Sequence, residues 1–185
     1  MSTATVASAA DTLPAGTWRS DPVHSAVDFS VRHMVVSTYR GRVPEFHATL
    51  VAEDEGARLE ATAPAAALQF ADPDQHGHVM GPDFLDADRH PELRFVSTSI
   101  ARRGDEVEAQ GELTLRGVTR PVALRGTIEG PQADPYGMSR LGLVLEGAFD
   151  RRDFGITWQL PLPDGGLAVG YEVRVTANVE LIREG

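Results

Sequence analysis

Met138-Ser139-Arg140-Leu141-Gly142-Leu143-Val144-Leu145-Glu146-Gly147-Ala148-Phe149-Asp150 is the stretch on which the fold turns. Leu141, Leu143, Leu145, Gly147 and Phe149 share one parity, and side chains alternate faces along an extended strand with a period of two. The reading is a half-buried β-strand. Downstream, residues 168–182 repeat the pattern with Val173, Val175, Ala177, Val179 and Leu181. Upstream, residues 118–129 put Val122, Leu124 and Ile128 on one face, entered from a turn at Arg116-Gly117. Pro121 in that run has no N–H to give a ladder, so it belongs at a strand start or an edge. Residues 93–102 and 106–116 read as a hairpin about Arg103-Gly104-Asp105. Residues 42–52 and 57–68 flank an acidic turn, and Val27, Phe29 and Val31 alternate with Asp28, Ser30 and Arg32 in the first strand. These are eight strands. Closing eight antiparallel strands into an up-and-down barrel removes the exposed edges an open sheet would keep. Such an interior is either filled by side chains or holds one small ligand, and the pattern leaves both open.

The 185 residues suit one β domain over residues 16–185, with a disordered tail expected over residues 1–15. There is no cysteine, which excludes disulfides, thiolate metal sites and thiol nucleophiles. The net charge is −10 and all 17 basic residues are arginine, without a basic stripe interleaved with aromatics. Nucleic acid is excluded as a partner on that ground, because such binding rests on neutralising phosphates. Acidic surfaces also disfavour charge-driven attachment to anionic lipid, and no run approaches the ~20 apolar residues of a membrane helix. No stable membrane insertion is expected. The first residues lack the basic start and apolar run of a secretory signal, so a cytoplasmic protein is expected. A homodimer is compatible with the composition.

One segment, around residues 72–90, breaks the β rhythm. Asp72-Pro73-Asp74-Gln75 offers a capping side chain, proline at the first helical position and an acidic first turn, and Gly81-Pro82 ends the helix. An excursion this long between strands is a candidate lid over a barrel mouth, or else a plug sealing it.

The chain is poor in recognisable chemistry. His76 and His78 are the one close histidine pair, but residues two apart on a helix point to different sides, and His24, His33, His47 and His90 are scattered. No metal and no cofactor are expected. Asp153-Phe154-Gly155 spells a kinase-like triplet without the phosphate loop that would give it meaning, and no nucleophile elbow is present. The excess of apolar over convergent polar residues fits a carrier better than an enzyme. The expected inner wall is Phe29, Val31, Phe95, Leu113, Leu115, Leu124, Leu143, Leu145, Val173 and Val175, with Phe84 at the mouth beside the polar groups His76, His78 and Asp83. The alternative is an enzyme that cyclises or dehydrates an apolar metabolite, with His76, His78 and Asp83 as acid and base.

Five ordered motifs also resemble the YceI-like polyisoprenoid-binding family over about residues 16–182. Trp18-Arg19-Ser20-Asp21-Pro22-Val23-His24-Ser25, with residues 27–33, resembles its first strand, and residues 39–43 the start of its second. His78-Val79, Pro82-Asp83-Phe84-Leu85-Asp86, Pro91 and Phe95-Val96-Ser97 resemble its helical block. Residues 111–122 resemble its G-x-L-T-x-x-G-V-T-x-P-V hairpin, and residues 150–155 its D-R-x-D-F-G turn. The chain departs from the pattern at His76, Val79 and Met80-Gly81, all in the proposed mouth. The resemblance implies a lipocalin-like extended barrel holding an isoprenoid chain, often that of a quinone, and it brings no catalytic residues.

Overall fold

The computed structural model describes residues 11–70 and 72–185. Ten strand segments follow in chain order: β1 (Gly16–Ser20), β2 (Ala26–His33), β3 (Ser37–Val43), β4 (His47–Glu53), β5 (Gly56–Pro64), β6 (Glu92–Arg103), β7 (Glu106–Leu115), β8 (Val118–Ala133), β9 (Ser139–Asp150) and β10 (Val169–Arg183). They form one antiparallel sheet in the order β1-β4-β5-β6-β7-β8-β9-β10-β2-β3, closed by a β1–β10 pairing. β10 is the hinge of the closure. One side of it pairs with β9 from Glu172 opposite Asp150 to Ile182 opposite Arg140. The other side pairs with β2, as at Val173 opposite Val31, and then with β1, as at Trp18 opposite Arg183.

β1 and β2 are therefore one bent stave, and β3 and β4 another, which makes a closed eight-stranded antiparallel barrel. The bends follow proline. Pro22 lies between β1 and β2 and Pro44 between β3 and β4, and neither has an N–H to donate to a ladder. The expected strand over residues 42–52 is thus the end of β3 plus most of β4, and the one over 57–68 stops at Pro64, where a single 3-10 turn, Ala65–Ala67, takes over. Pro121 stands opposite Glu112 of β7, before β8 begins to pair with β9 at Leu124. It occupies a stretch with only one neighbour, as a residue without a donor should.

Helix α1 (Pro73–Met80) lies where the sequence places it. The Asp72 side chain accepts from the Asp74 N–H at 3.0 Å, Pro73 opens the first turn, and the chain leaves at Gly81. No helix among the described residues is long and apolar enough to cross a membrane.

One end of the barrel is solid. Trp18, Leu50, Ile128, Leu141 and Leu181 are each at most 1% exposed and fill that end with side chains from five strands. Of the expected tail, residues 1–10 lie outside the described residues. In the last five positions Asp11, Thr12 and Ala15 are exposed, while Leu13 and Pro14 are half-buried. The Pro14 carbonyl accepts from the Trp18 indole at 2.9 Å, the Thr12 carbonyl accepts from Arg102 at 3.0 Å, and Leu13 packs against the core. Burying Leu13 and satisfying the indole, which needs a partner once buried, hold this segment down.

Above the solid end the wall is smoothed by two glycines. A Cβ on Gly41 would lie 2.3 Å from the Phe29 ring, and one on Gly111 2.4 Å from the Phe95 ring. Each phenylalanine thus lies flat across a neighbouring strand, where no other residue leaves room. Register shifts in β6, β8 and β10 mark where the ladder is interrupted. In β6 the shift falls after Ser97, so Phe95 keeps the inward parity read from sequence.

The rim of the solid end carries a charge network. The Arg140 guanidinium donates to Asp134 at 2.8 Å, to Asp21 at 3.0 Å and to Glu180, and His24 Nδ1 lies 2.9 Å from Asp21. The bonds from His24, the Val23 N–H and Arg140 hold the Asp21 carboxyl down at about 2, against an ordinary 3.8. The same contact raises His24 above its ordinary 6.5. The His24 contribution is complete below 6.5 and disappears as pH rises through the raised folded value. The Asp21 contribution is complete above 3.8 and disappears as pH falls through about 2. Melting measured from about pH 8 down to about pH 6 should show a gain in stability that is absent in His24→Gln. Equal slopes in the two proteins would remove His24 from the network.

Candidate functional site

The rest of the barrel is hollow. A cavity of about 440 Å³ occupies the half opposite the filled end, within the usual ~300–1,000 Å³ of ligand pockets. Its wall follows the period-two pattern of the strands. Phe29, Val31, Phe95, Leu113, Leu115, Leu124, Leu143, Leu145, Val173 and Val175 all line it, and Phe84 lines it from the segment after α1. The sequence left open whether the barrel is filled or hollow, and it is both, filled below and hollow above.

Two aromatic lips frame the open end. Tyr39 stacks on Phe70 at 5.9 Å, with Phe29 6.1 Å from Phe70, and His76 stands edge-on to Phe70 at 5.9 Å. Across the opening, His78 meets Trp158 at 4.9 Å and Phe84 at 5.1 Å, both edge-on, and Phe84 lies 5.4 Å from Trp158. Helix α1 spans the two lips because His76 and His78 leave it in different directions. The three polar residues expected at the mouth are therefore divided. His78 lines the cavity and its Nε2 is 3.6 Å from the exposed Asp83 carboxylate, while His76 packs on the outside of the other lip. His76 and His78 thus each stand against an aromatic ring of a different lip.

Sequence reasoning missed several residues of this site. Tyr39, Phe70, Gln75 and Trp158 line the opening, and none of their side chains makes a hydrogen bond to another side chain among the described residues. Trp158 lies in residues 155–168, where Ile156, Trp158, Leu160 and Leu162 alternate with Thr157, Gln159, Pro161 and Pro163, a signal obscured because the prolines and glycines of the run keep it out of the strands. Tyr39 belongs to β3 and Phe70 to the segment after the 3-10 turn, and the two meet where that segment pairs with β3, the Gln69 N–H donating to the Arg42 carbonyl at 3.0 Å.

Arg151 is the other omission. It follows Asp150 into a 3-10 turn, Arg151–Phe154, closed by Gly155 at φ +73. It is 3% exposed and lines the cavity, yet no carboxylate among the described residues forms an ion pair with it. Its guanidinium donates instead to the carbonyls of Ile156 at 2.7 Å, Trp158 at 2.9 Å, Gly170 at 2.9 Å and Val169 at 3.1 Å. The Phe84 and Tyr171 rings lie 5.8 and 5.1 Å from its central carbon. Burial lowers the Arg151 pKa, which stays far above neutrality because guanidinium is so strong a base. One side chain thus ties the loop carrying Trp158 to the start of β10 and holds the second lip in place.

Away from the cavity, Asp21, His24 and Glu180 bring three metal-capable atoms within 4.8 Å. Arg140 already donates to both carboxylates there, so the positive charge a cation would supply is in place.

Comparisons with known proteins agree with this geometry. Protein YceI of Shigella flexneri and its counterpart in Escherichia coli O157:H7 are each 31% identical over 140 residues, covering 74% of this chain and 73% of the relative. Burkholderia cenocepacia BcnA shares the fold at a TM-score of 0.71 and 20% identity, over 87% of this chain and 98% of BcnA. A polyisoprenoid binding domain from Saccharophagus degradans, implicated in plant cell wall breakdown, shares it at 0.68 and 9% identity, over 92% of this chain and 100% of the domain. The model of the YceI-like domain matches residues 18–181, from the buried Trp18 to the buried Leu181, and the chain belongs to that family.

Proposed function

We propose that this chain binds one elongated apolar molecule with a small polar head in its barrel, an isoprenoid chain being the class that fits best. The observation that carries the reading is the cavity of about 440 Å³, walled for the most part by alternate apolar residues, with Tyr39, Gln75, His78 and Trp158 at its lips. Burial supplies the affinity, since each methylene taken out of water contributes roughly 0.8 kcal/mol and several isoprene units need no charged contact. Tyr39, Gln75 and Trp158 line the opening, and their hydroxyl, amide and indole N–H are neutral partners of the kind that suits a carbonyl or hydroxyl head. A tapering tail would then run down toward Leu143 and Leu145. The polyisoprenoid binding domain of Saccharophagus degradans, built on the same fold, favours the same class.

Native mass spectrometry of the purified chain, followed by solvent extraction, tests this directly. A co-purifying polyprenyl species in about one-to-one ratio is the expected result. A purified chain that carries no such species and gains none from added isoprenoid quinone would refute the reading.

A further inference from the structure

The tip of the β2–β3 hairpin is built against local preference. Met34 and Val35 have φ +49 and +64, in the left-handed region that ordinarily belongs to glycine or asparagine, and Val35 is β-branched. Met34, Val35 and Val36 are all exposed, Val36 at 84%. Leu160, 53% exposed, extends the patch. The Ala168 N–H donates to the Leu160 carbonyl at 3.1 Å, and the Met34 N–H donates to the Ala168 carbonyl at 2.8 Å, so the three segments lie side by side. His33 and Val169, next to this patch in the chain, line the cavity. The apolar tip is thus continuous with the mouth.

Two further features fit a lipid surface. Backbone polar groups resist entry into an apolar phase, and here the Met34 N–H is bonded to Ala168 and the Val35 carbonyl accepts from the Arg32 guanidinium. Beside the tip stand one guanidinium, Arg32, and one exposed carboxylate, Asp164, in the turn whose Gly166 adjoins Val35, so the two leave no net charge there, and the other acidic side chains of the mouth, Asp72, Asp74, Asp83 and Asp88, belong to the α1 segment. We propose that residues 34–36 and Leu160 form a docking surface for an electrically neutral lipid bilayer, setting the cavity mouth against the phase where an apolar ligand resides. This rests on the ligand reading above. A strongly apolar molecule has little presence in water, so a mouth that opens onto a bilayer shortens its only efficient route in and out.

Flotation of the ligand-stripped chain with phosphatidylcholine vesicles tests the surface. The double variant Val35→Asn, Val36→Asp is informative because asparagine tolerates the left-handed region, so the fold is retained and the melting temperature does not fall. The expected result is flotation of the unaltered chain, indifferent to salt, and a loss of partitioning of about tenfold or more in the double variant and in Leu160→Asp. Tyr136→Asp, which removes an equally exposed aromatic from the closed end, should leave flotation unchanged. No flotation, undiminished flotation in the double variant, or flotation that needs anionic lipid and disappears in salt would each overturn the proposal. So would self-association that the double variant abolishes, since a second copy would then be the occupant. Binding of a fluorescent apolar probe in vesicle-free buffer is the separate readout. Retention of probe by the double variant supports docking as a function apart from binding. Flotation by an unaltered chain that takes up no probe would overturn the ligand reading and leave the docking surface standing.

Discussion

Arg151→Ala is expected to cost about 3–5 kcal/mol of stability, the largest effect of any substitution at the rim. The guanidinium satisfies four main-chain carbonyls, those of Ile156, Trp158, Val169 and Gly170. An acceptor left buried without a donor costs about 1–3 kcal/mol, and water entering from the cavity would relieve some of the four but not all. The loss should be accompanied by a changed Trp158 environment, because the second lip loses its tie to β10. Arg151→Lys should recover less than half, since a single ammonium cannot reach acceptors spread around a planar fork. Arg152 is the fitting control. It is exposed and paired with Asp150 at 2.5 Å, and surface pairs contribute up to about 1 kcal/mol. Urea unfolding of the three variants separates these expectations. A cost for Arg151→Ala no greater than that for Arg152→Ala would show that the four carbonyls find other partners.

Filling the hollow should abolish ligand binding without unfolding the chain. Ala61 lines the cavity from β5 and Leu124 from β8, and a tryptophan at either position has open space to enter. An apolar probe is expected to lose about a hundredfold or more in affinity, as the ring takes the volume that would bury several methylenes. The melting temperature of the ligand-free protein should change little. That comparison needs ligand-free protein, because loss of a stabilising ligand lowers the apparent melting point by itself. Leu141→Trp makes the contrast. Leu141 is 1% exposed in the solid end, and overpacking a filled core costs roughly 1–3 kcal/mol. Unchanged probe affinity in both Ala61→Trp and Leu124→Trp would move the binding site out of the barrel.

The strands, their inward parity and the cap of α1 were legible in the sequence because each is a local property. Alternation in residues 138–150 settles which side chains of β9 face one way, and Asp72-Pro73 starts a helix whatever surrounds it. A closed barrel has only one inside, so parity was enough to name Leu143, Val173 and Phe95 as wall residues before any contact was known. What depends on residues distant in the chain was not legible. Parity is the same for Leu141 and Leu143, yet one fills the solid end and the other borders the cavity, because height along the barrel is set by the tilt and register of all the strands together. Arg151 read as part of a turn, and its burial against the carbonyls of residues 156–170 follows only from how that loop folds back over β10. Asp21, His24 and Arg140 meet across more than a hundred residues, and no spacing announces it. The sequence by itself determined a barrel and which side chains point into it. Tertiary structure alone decided where that interior is solid, where it is empty and what guards its mouth, since space inside a closed surface is shared by every strand and belongs to none.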